Sequence, residues 1–152
     1  MTNIQKDVPT SLANLLSYRL ERLGEKVSQT VAVRILDEFG LALQQWYILL
    51  ALYDLKDATA TDLCLATALD KVTVSRAVSS LKRDERILSE RDHQDRRKTH
   101  LSLSIAGQRT VEQVLPRVQV REAELKSALS DEELSALQDI MARLDRAAMP
   151  SG

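Results

Sequence analysis

One stretch constrains this chain more than any other: residues 70–104, DKVTVSRAVSSLKRDERILSERDHQDRRKTHLSLS. Asp70 is a helix-capping residue type, and its carboxylate suits the positive end of a helix dipole. Behind it Val74, Ala77, Val78 and Leu81 recur at three- and four-residue spacing, which predicts an amphipathic helix over 71–84. Lys71, Thr73, Ser75, Arg76 and Ser79 are then left on its outer side. Residues 87–91 and 99–104 read as strands. In the second, Leu101, Leu103 and Ile105 alternate with polar residues, the period of a half-buried strand. The loop between them, 92–98, is DHQDRRK, with Arg96 and Arg97 adjacent.

The charge follows the same pattern. The whole chain carries a formal −1, yet residues 71–109 hold ten Lys and Arg against five Asp and Glu, a local excess of +5, and the rest carries −6. A basic stripe confined to one module of an acidic protein suits an electrostatic footprint on a polyanion. A short polar-faced helix followed by a basic two-stranded ribbon is the outline of a winged helix-turn-helix. There the helix enters the major groove and the ribbon meets the minor groove. In this reading Arg76 can grip guanine O6 and N7, while Thr73, Ser75 and Ser79 bond phosphates or base edges. Arg91 lies beside the ribbon tip. Arg96 or Arg97 enters the minor groove, where negative potential is focused. Asp95, acidic where DNA is acidic, is expected to hold an arginine by a charge-assisted pair.

At 152 residues the chain is most simply one domain, 1–152. Aromatics are only 3%, so leucine, valine and alanine must build the core. Four glycines and three prolines leave little for long loops and favour a mainly helical chain with one small hairpin. No apolar run approaches about 18 residues, and the N-terminus lacks a signal peptide's pattern. With one cysteine, Cys64, no intrachain disulfide can form. These features predict a cytoplasmic protein with no membrane partner.

Thr10 or Ser11 can cap a first helix. Its stripe is Leu12, Leu15, Leu16, Leu20, Leu23, Val27, Val31 and Ile35, with Gly24 costing roughly 1 kcal/mol inside it. Residues 43–54 (LQQWYILLALYD) form a helix apolar on several sides, hence central. Thr59 and Asp62 suit a reciprocal cap on a short helix over 60–66. Ala106-Gly107 opens a long helix that Pro116 should kink. Ser130-x-x-Glu133 is a capping box for a last helix, with the stripe Leu134, Leu137, Met141 and Leu144. A three-helix winged module over about 43–104 is complete without the flanking helices, 11–36 and 106–148. Their stripes predict a second copy of the chain and a two-fold homodimer, and therefore a palindromic operator in double-stranded DNA.

Other chemistries find little support. His93 and His100, near Asp92 and Asp95, could suggest a metal site, but the alternation of the second strand sets His100 apart from the loop tip. No His-x-x-x-His, paired-cysteine or glycine-rich phosphate motif is present, so neither enzyme, metal nor cofactor is expected. Cys64, between Leu63 and Leu65, reads as a small apolar residue; the alternative is a redox-sensing thiol. A winged helix used only as a protein-interaction module would more often show aromatic anchors.

The segments DKVTVSRAVSSL and ERDHQDRRKTHLSLSIAG, together with LQQWYILLAL, resemble the MarR family of bacterial transcription regulators over about residues 11–148. The family's Asp-x-Arg wing element appears as Asp95-Arg96-Arg97, followed by Leu101-Ser102 or Leu103-Ser104. The resemblance implies an obligate homodimer on pseudo-palindromic promoters, a repressor released by a small ligand. Arg97 is then the residue entering the minor groove and Asp95 its structural partner. It also implies a pocket where the dimerisation helices meet the reading unit. Tyr18, Arg22 and Trp46 are the candidates there to stack on and pair with a small aromatic or amphipathic effector. The chain departs from the family pattern at Ala68, where a glycine is common, near Glu85-Arg86, where another is replaced, and at Cys64, where a small residue is usual. Alanine at a positive φ is costly, so a reshaped turn is expected at Ala68.

Overall fold

The computed structural model describes residues 11–148. Among them are six helices and one antiparallel hairpin: α1 (Leu16–Arg34), α2 (Leu43–Leu55), α3 (Ala60–Thr67), α4 (Lys71–Arg83), β1 (Ile87–Arg91), β2 (Thr99–Leu103), α5 (Ile105–Lys126) and α6 (Asp131–Ala148). Short 3-10 turns occupy Leu12–Asn14 and Leu36–Phe39. This is the mainly helical chain with a small wing that the patterning predicts. No helix of the described residues is long and apolar enough to cross a membrane.

The first helix is shorter than its stripe. Leu15 is extended (φ −72°, ψ 121°) between the turn at Leu12–Asn14 and the start of α1, and Ser11 makes no side-chain cap. Thr10, the other expected cap, lies outside the described residues. At the far end Ile35 leaves the helix, and the chain turns through Leu36–Phe39 onto Gly40. Gly40 has φ 60°, and the backbone N–H groups of Gly40 and Leu41 donate to the carbonyls of Asp37 and Leu36. That left-handed position costs an L-residue about 1–2 kcal/mol, which glycine avoids. Gly24 does not interrupt α1.

The chain divides into two compact units, one running to Val114 and one from Leu115 onward. The core lies in the first. Leu36, Ile48, Leu49, Leu52, Leu63, Val74, Leu81, Val111 and Val114 are all fully buried. α2 supplies three of them because its apolar residues cover most of its circumference, which suits a central helix. In the second unit no described residue is buried. Ser130 and Glu133 cap α6 reciprocally, Ser130 N donating to Glu133 Oε2 (2.9 Å) and Glu133 N to Ser130 Oγ (3.2 Å). α5 continues through Pro116 rather than breaking there. The proline removes only the bond that Glu112 O would have accepted.

β1 and β2 pair in the register Ile87↔Leu103 to Arg91↔Thr99, so β2 ends one residue before the predicted limit. Ser104 is diverted to start α5. Its hydroxyl donates to Glu85 O (2.7 Å) and accepts from Gly107 N (3.0 Å), a cap the sequence reading had not assigned. Gly107 is required by proximity: a Cβ there would stand 1.9 Å from Arg86 O. Ala58 extends the sheet by one bridge, Ala58 N to Leu101 O (3.0 Å) and Leu101 N to Ala58 O (2.8 Å).

Candidate nucleic-acid interface

The helix-turn-helix begins with α3. Thr59 N donates to Asp62 Oδ2 (2.8 Å) and Asp62 N to Thr59 Oγ1 (3.3 Å), the reciprocal cap read from the sequence. The Thr59 N–H, then its hydroxyl, hold the Asp62 carboxyl below its ordinary range. α3 ends on Ala68 at φ 56°, ψ 19°. The expected reshaping does not occur: alanine takes the left-handed conformation itself, and so does Glu85 (φ 56°) after α4.

Asp70 then caps α4. Its Oδ1 accepts from Thr73 N and its Oδ2 from Thr73 Oγ1, both at 2.8 Å, and these bonds lower its pKa. The Thr73 hydroxyl is therefore committed to the cap, and Thr73 is half-buried. Val74, Ala77 and Leu81 face the core, and Lys71, Ser75, Arg76 and Ser79 are exposed. Val72 stands among them at 60% exposure, an apolar member of the outer face that the sequence reading passed over. Its signal was available: at 100° per residue Val72 falls opposite the Val74–Leu81 stripe. On the inner side Gln45 of α2 donates to Ser80 Oγ (2.8 Å), fixing α4 against α2.

The wing is braced from within. Asp92 Oδ1 accepts from Gln94 N (2.7 Å) and Asp95 N (2.8 Å), and Asp95 Oδ1 accepts from Arg97 N (3.1 Å). Lys98 N donates to Asp95 O (2.8 Å), closing a tight turn with Arg96 and Arg97 at its crest, both exposed. Asp95 thus serves Arg97 through the main chain, not through the guanidinium as anticipated. This is the usual Asx-turn habit of a short carboxylate. Asp92 sits at a pKa of about 2, lowered first by the N–H groups of Asp95 and Gln94 and then by His100.

His100 corrects a second expectation. Far from being remote from the loop, its Nε2 lies 3.0 Å from Asp92 Oδ2 and its Nδ1 2.9 Å from Asp57 Oδ2. The strand alternation does place His100 on the face opposite Leu101, but that face looks onto the returning end of β1 and the α2–α3 turn. Its pKa is raised, chiefly by the Asp92 bond and then by Asp57. Each ring nitrogen meets a different carboxylate, and among the described residues no group of three or more His, Cys, Asp or Glu could hold a metal ion.

A cavity of about 440 Å³ lies between α3, α4 and β2, walled by Lys71, Ser75 and Ser79 with Lys82 and Cys64. Cys64 is half-buried there. A neighbouring cleft of about 530 Å³ runs from Thr59 and Asp62 to Arg97 and Lys98. The structure so brings the helix and wing residues to adjoining hollows. Arg91 instead lines the outer side of the wing with Asp92 and His93. Of the effector candidates, Tyr18 and Arg22 share an apolar groove of about 480 Å³ along α1 with Leu16, Leu20 and Leu23. Arg22 is ion-paired to Glu25. Trp46 is not in that groove; at 2% exposure it is part of the core.

A capped helix behind a tight turn, followed by a braced basic hairpin, defines a winged helix-turn-helix DNA-binding transcription regulator. A family model described as MarR family matches residues 39–98. The solved structure of a probable transcriptional regulator from Pseudomonas aeruginosa is similar at 26% identity, covering 88% of this chain and 99% of that one, with a TM-score of 0.79. Bordetella bronchiseptica BpsR, described with the regulation of its DNA binding by 6-hydroxynicotinic acid, is 24% identical over 90% of this chain and 97% of its own, TM-score 0.81. Staphylococcus aureus MepR, solved in complex with DNA, is 24% identical over 88% and 98%, TM-score 0.82. No curated protein matches the sequence. Residues 39–98 are thus similar to the MarR family, and the likeness in fold extends over most of the chain.

Proposed function

We propose that this regulator is a cytoplasmic homodimer that represses transcription from pseudo-palindromic operators and is released by a small aromatic or amphipathic acid. Residues 71–84 lie in the major groove, where Arg76 reads a guanine and Lys71, Ser75 and Ser79 hold phosphates or base edges, while Thr73 keeps its hydroxyl on the Asp70 cap. Residues 92–98, with Arg91 beside them, meet the minor groove through Arg96 and Arg97. The observation that carries this reading is the Arg96-Arg97 crest. Two exposed guanidinium groups sit on a turn whose backbone is fixed by both Asp92 and Asp95. A fixed turn loses little conformational entropy when its arginines are inserted.

The dimer is supported by the apolar faces left open in the single chain. Leu12, Leu16, Leu20 and Leu23 are 46–60% exposed, and Leu137, Ile140 and Met141 of α6 are 41–58% exposed. Residues 11–36 and 106–148 are the segments assigned to it, flanking the reading unit at about 43–104 within one 152-residue regulator. The effector class is supported by the Tyr18–Arg22 groove, which offers a ring to stack on and a cation for a carboxylate. BpsR, with its 6-hydroxynicotinic acid, is a structural relative that responds to such a molecule.

The test is a titration of the purified dimer against its own upstream DNA and a scrambled duplex at two salt concentrations. Tight, selective binding is expected. Arg97→Ala should weaken it on every sequence and flatten the salt dependence, whereas Arg76→Ala should also relax sequence preference. Binding that is equally weak on both duplexes and vanishes with salt would refute the proposal.

A further inference from the structure

His100 bridges two carboxylates that belong to different parts of the chain: Asp57 in the α2–α3 turn and Asp92 at the root of the wing loop. A carboxylate can only accept. For both ring nitrogens to bond as placed, both must carry a proton, and only the imidazolium does. Deprotonation leaves one nitrogen with a lone pair facing a carboxylate, and that bond becomes a repulsion. Asp92 is the same residue whose other oxygen holds the Gln94 and Asp95 amides. The Ala58–Leu101 bridge ties the middle of the hairpin, and His100 ties the next level toward the crest.

We propose that His100 is a proton-controlled latch that positions the wing for DNA, holding it against the α2–α3 turn when protonated and letting it swing when neutral. The surroundings favour the closed state. Asp57 faces the ring from the α2–α3 turn, Asp62 from α3, and Asp92 from the loop, while Glu90 is its direct partner across the sheet. The cations near it are Lys98, two residues before it at the end of the wing loop, and Arg91 on the neighbouring strand; His93 lies beside Arg91, 3.5 Å from Glu90. The direction follows. The His100 pKa is raised above 6.5, so the latch is closed below 6.5 and opens as pH rises through the higher, folded-state value. By linkage, DNA that needs a closed wing must favour proton uptake.

The inference rests on the wing contacting DNA, so its test has one readout without DNA. The chain has two histidines, so His100 can be followed by NMR titration with His93→Gln as the assignment control. A nitroxide on Gln94→Cys, in a Cys64→Ser background, reports wing mobility by its spectral width. His100 is expected to titrate above 6.5, and the label to be immobile at pH 6 and mobile at pH 9. His100→Ala should be mobile at both. Asp57→Asn is the discriminating variant, because its amide N–H can donate to the unprotonated Nδ1. It should keep the wing immobile at pH 9. Affinity for a short mixed-sequence duplex at fixed salt should fall about tenfold from pH 6 to 9 in the parent chain, comparable to losing one well-placed arginine contact, and stay flat in Asp57→Asn. A label equally immobile at both pH values, or Asp57→Asn loosening like the parent, would overturn the latch. A latch that works while duplex affinity ignores it would overturn the wing's role in binding instead.

Discussion

Two alanines in the helix-turn-helix, two positions apart, should respond to glycine with opposite sign. Ala68 is exposed and left-handed (φ 56°, ψ 19°), whereas Ala66 is exposed in the penultimate position of α3. Holding alanine at a left-handed φ costs about 1–2 kcal/mol, and Ala68→Gly releases it. Against this, glycine widens the unfolded ensemble by roughly 0.4–1 kcal/mol. Both side chains are single exposed methyl groups, so little packing is lost. The balance is a gain of about 0.5–1 kcal/mol for Ala68→Gly. Ala66→Gly, which has no strain to relieve, should lose about 1 kcal/mol. For a chain of this length these correspond to roughly +2 °C and −3 °C in Tm. The assay is thermal and urea unfolding by circular dichroism at one fixed protein concentration, since dimerisation couples to stability. If both variants destabilise alike, alanine at 68 is not strained and the turn is not left-handed.

Gly107→Ala should lower stability by about 3 kcal/mol, because its Cβ would meet the backbone carbonyl of Arg86 and no flexible side chain can yield; urea unfolding measures it. Asp70→Ala should lower the unfolding midpoint and weaken duplex binding together, since the same carboxylate caps α4 and holds Thr73; the two readouts are melting and fluorescence anisotropy. Leu20→Glu, on the open α1 face, should yield monomers in sedimentation velocity, and a persistent dimer would remove α1 from the interface.

What could be read from the sequence was local. Asp70, Thr59 and Ser130 announce their caps because donor and acceptor lie three residues apart. The second wing strand announces itself because period two is visible within a few residues. The features that escaped depend on separation along the chain. Asp57 is 43 residues from His100, and no periodicity links them. Arg86 donates to Phe39 O at 2.5 Å across 47 residues. The α1 stripe was legible as apolar but not as open, because burial depends on what faces it, and within one chain only Val31 of α1 is buried. The resemblance groups Trp46 with Tyr18 and Arg22 in one pocket; the all-round apolarity of α2 instead draws Trp46 into the core.

The Ala58–Leu101 bridge has a consequence for behaviour at high concentration. One flank of the hairpin is occupied at its middle by the chain's own backbone, which leaves the outer side of β1 as the longer unpaired row of amides and carbonyls. That row is five residues long and carries exposed Glu90 and Arg91. Short, charged edges are poor templates for strand addition by a neighbouring molecule. The basic hairpin is thereby guarded against stacking into intermolecular sheets.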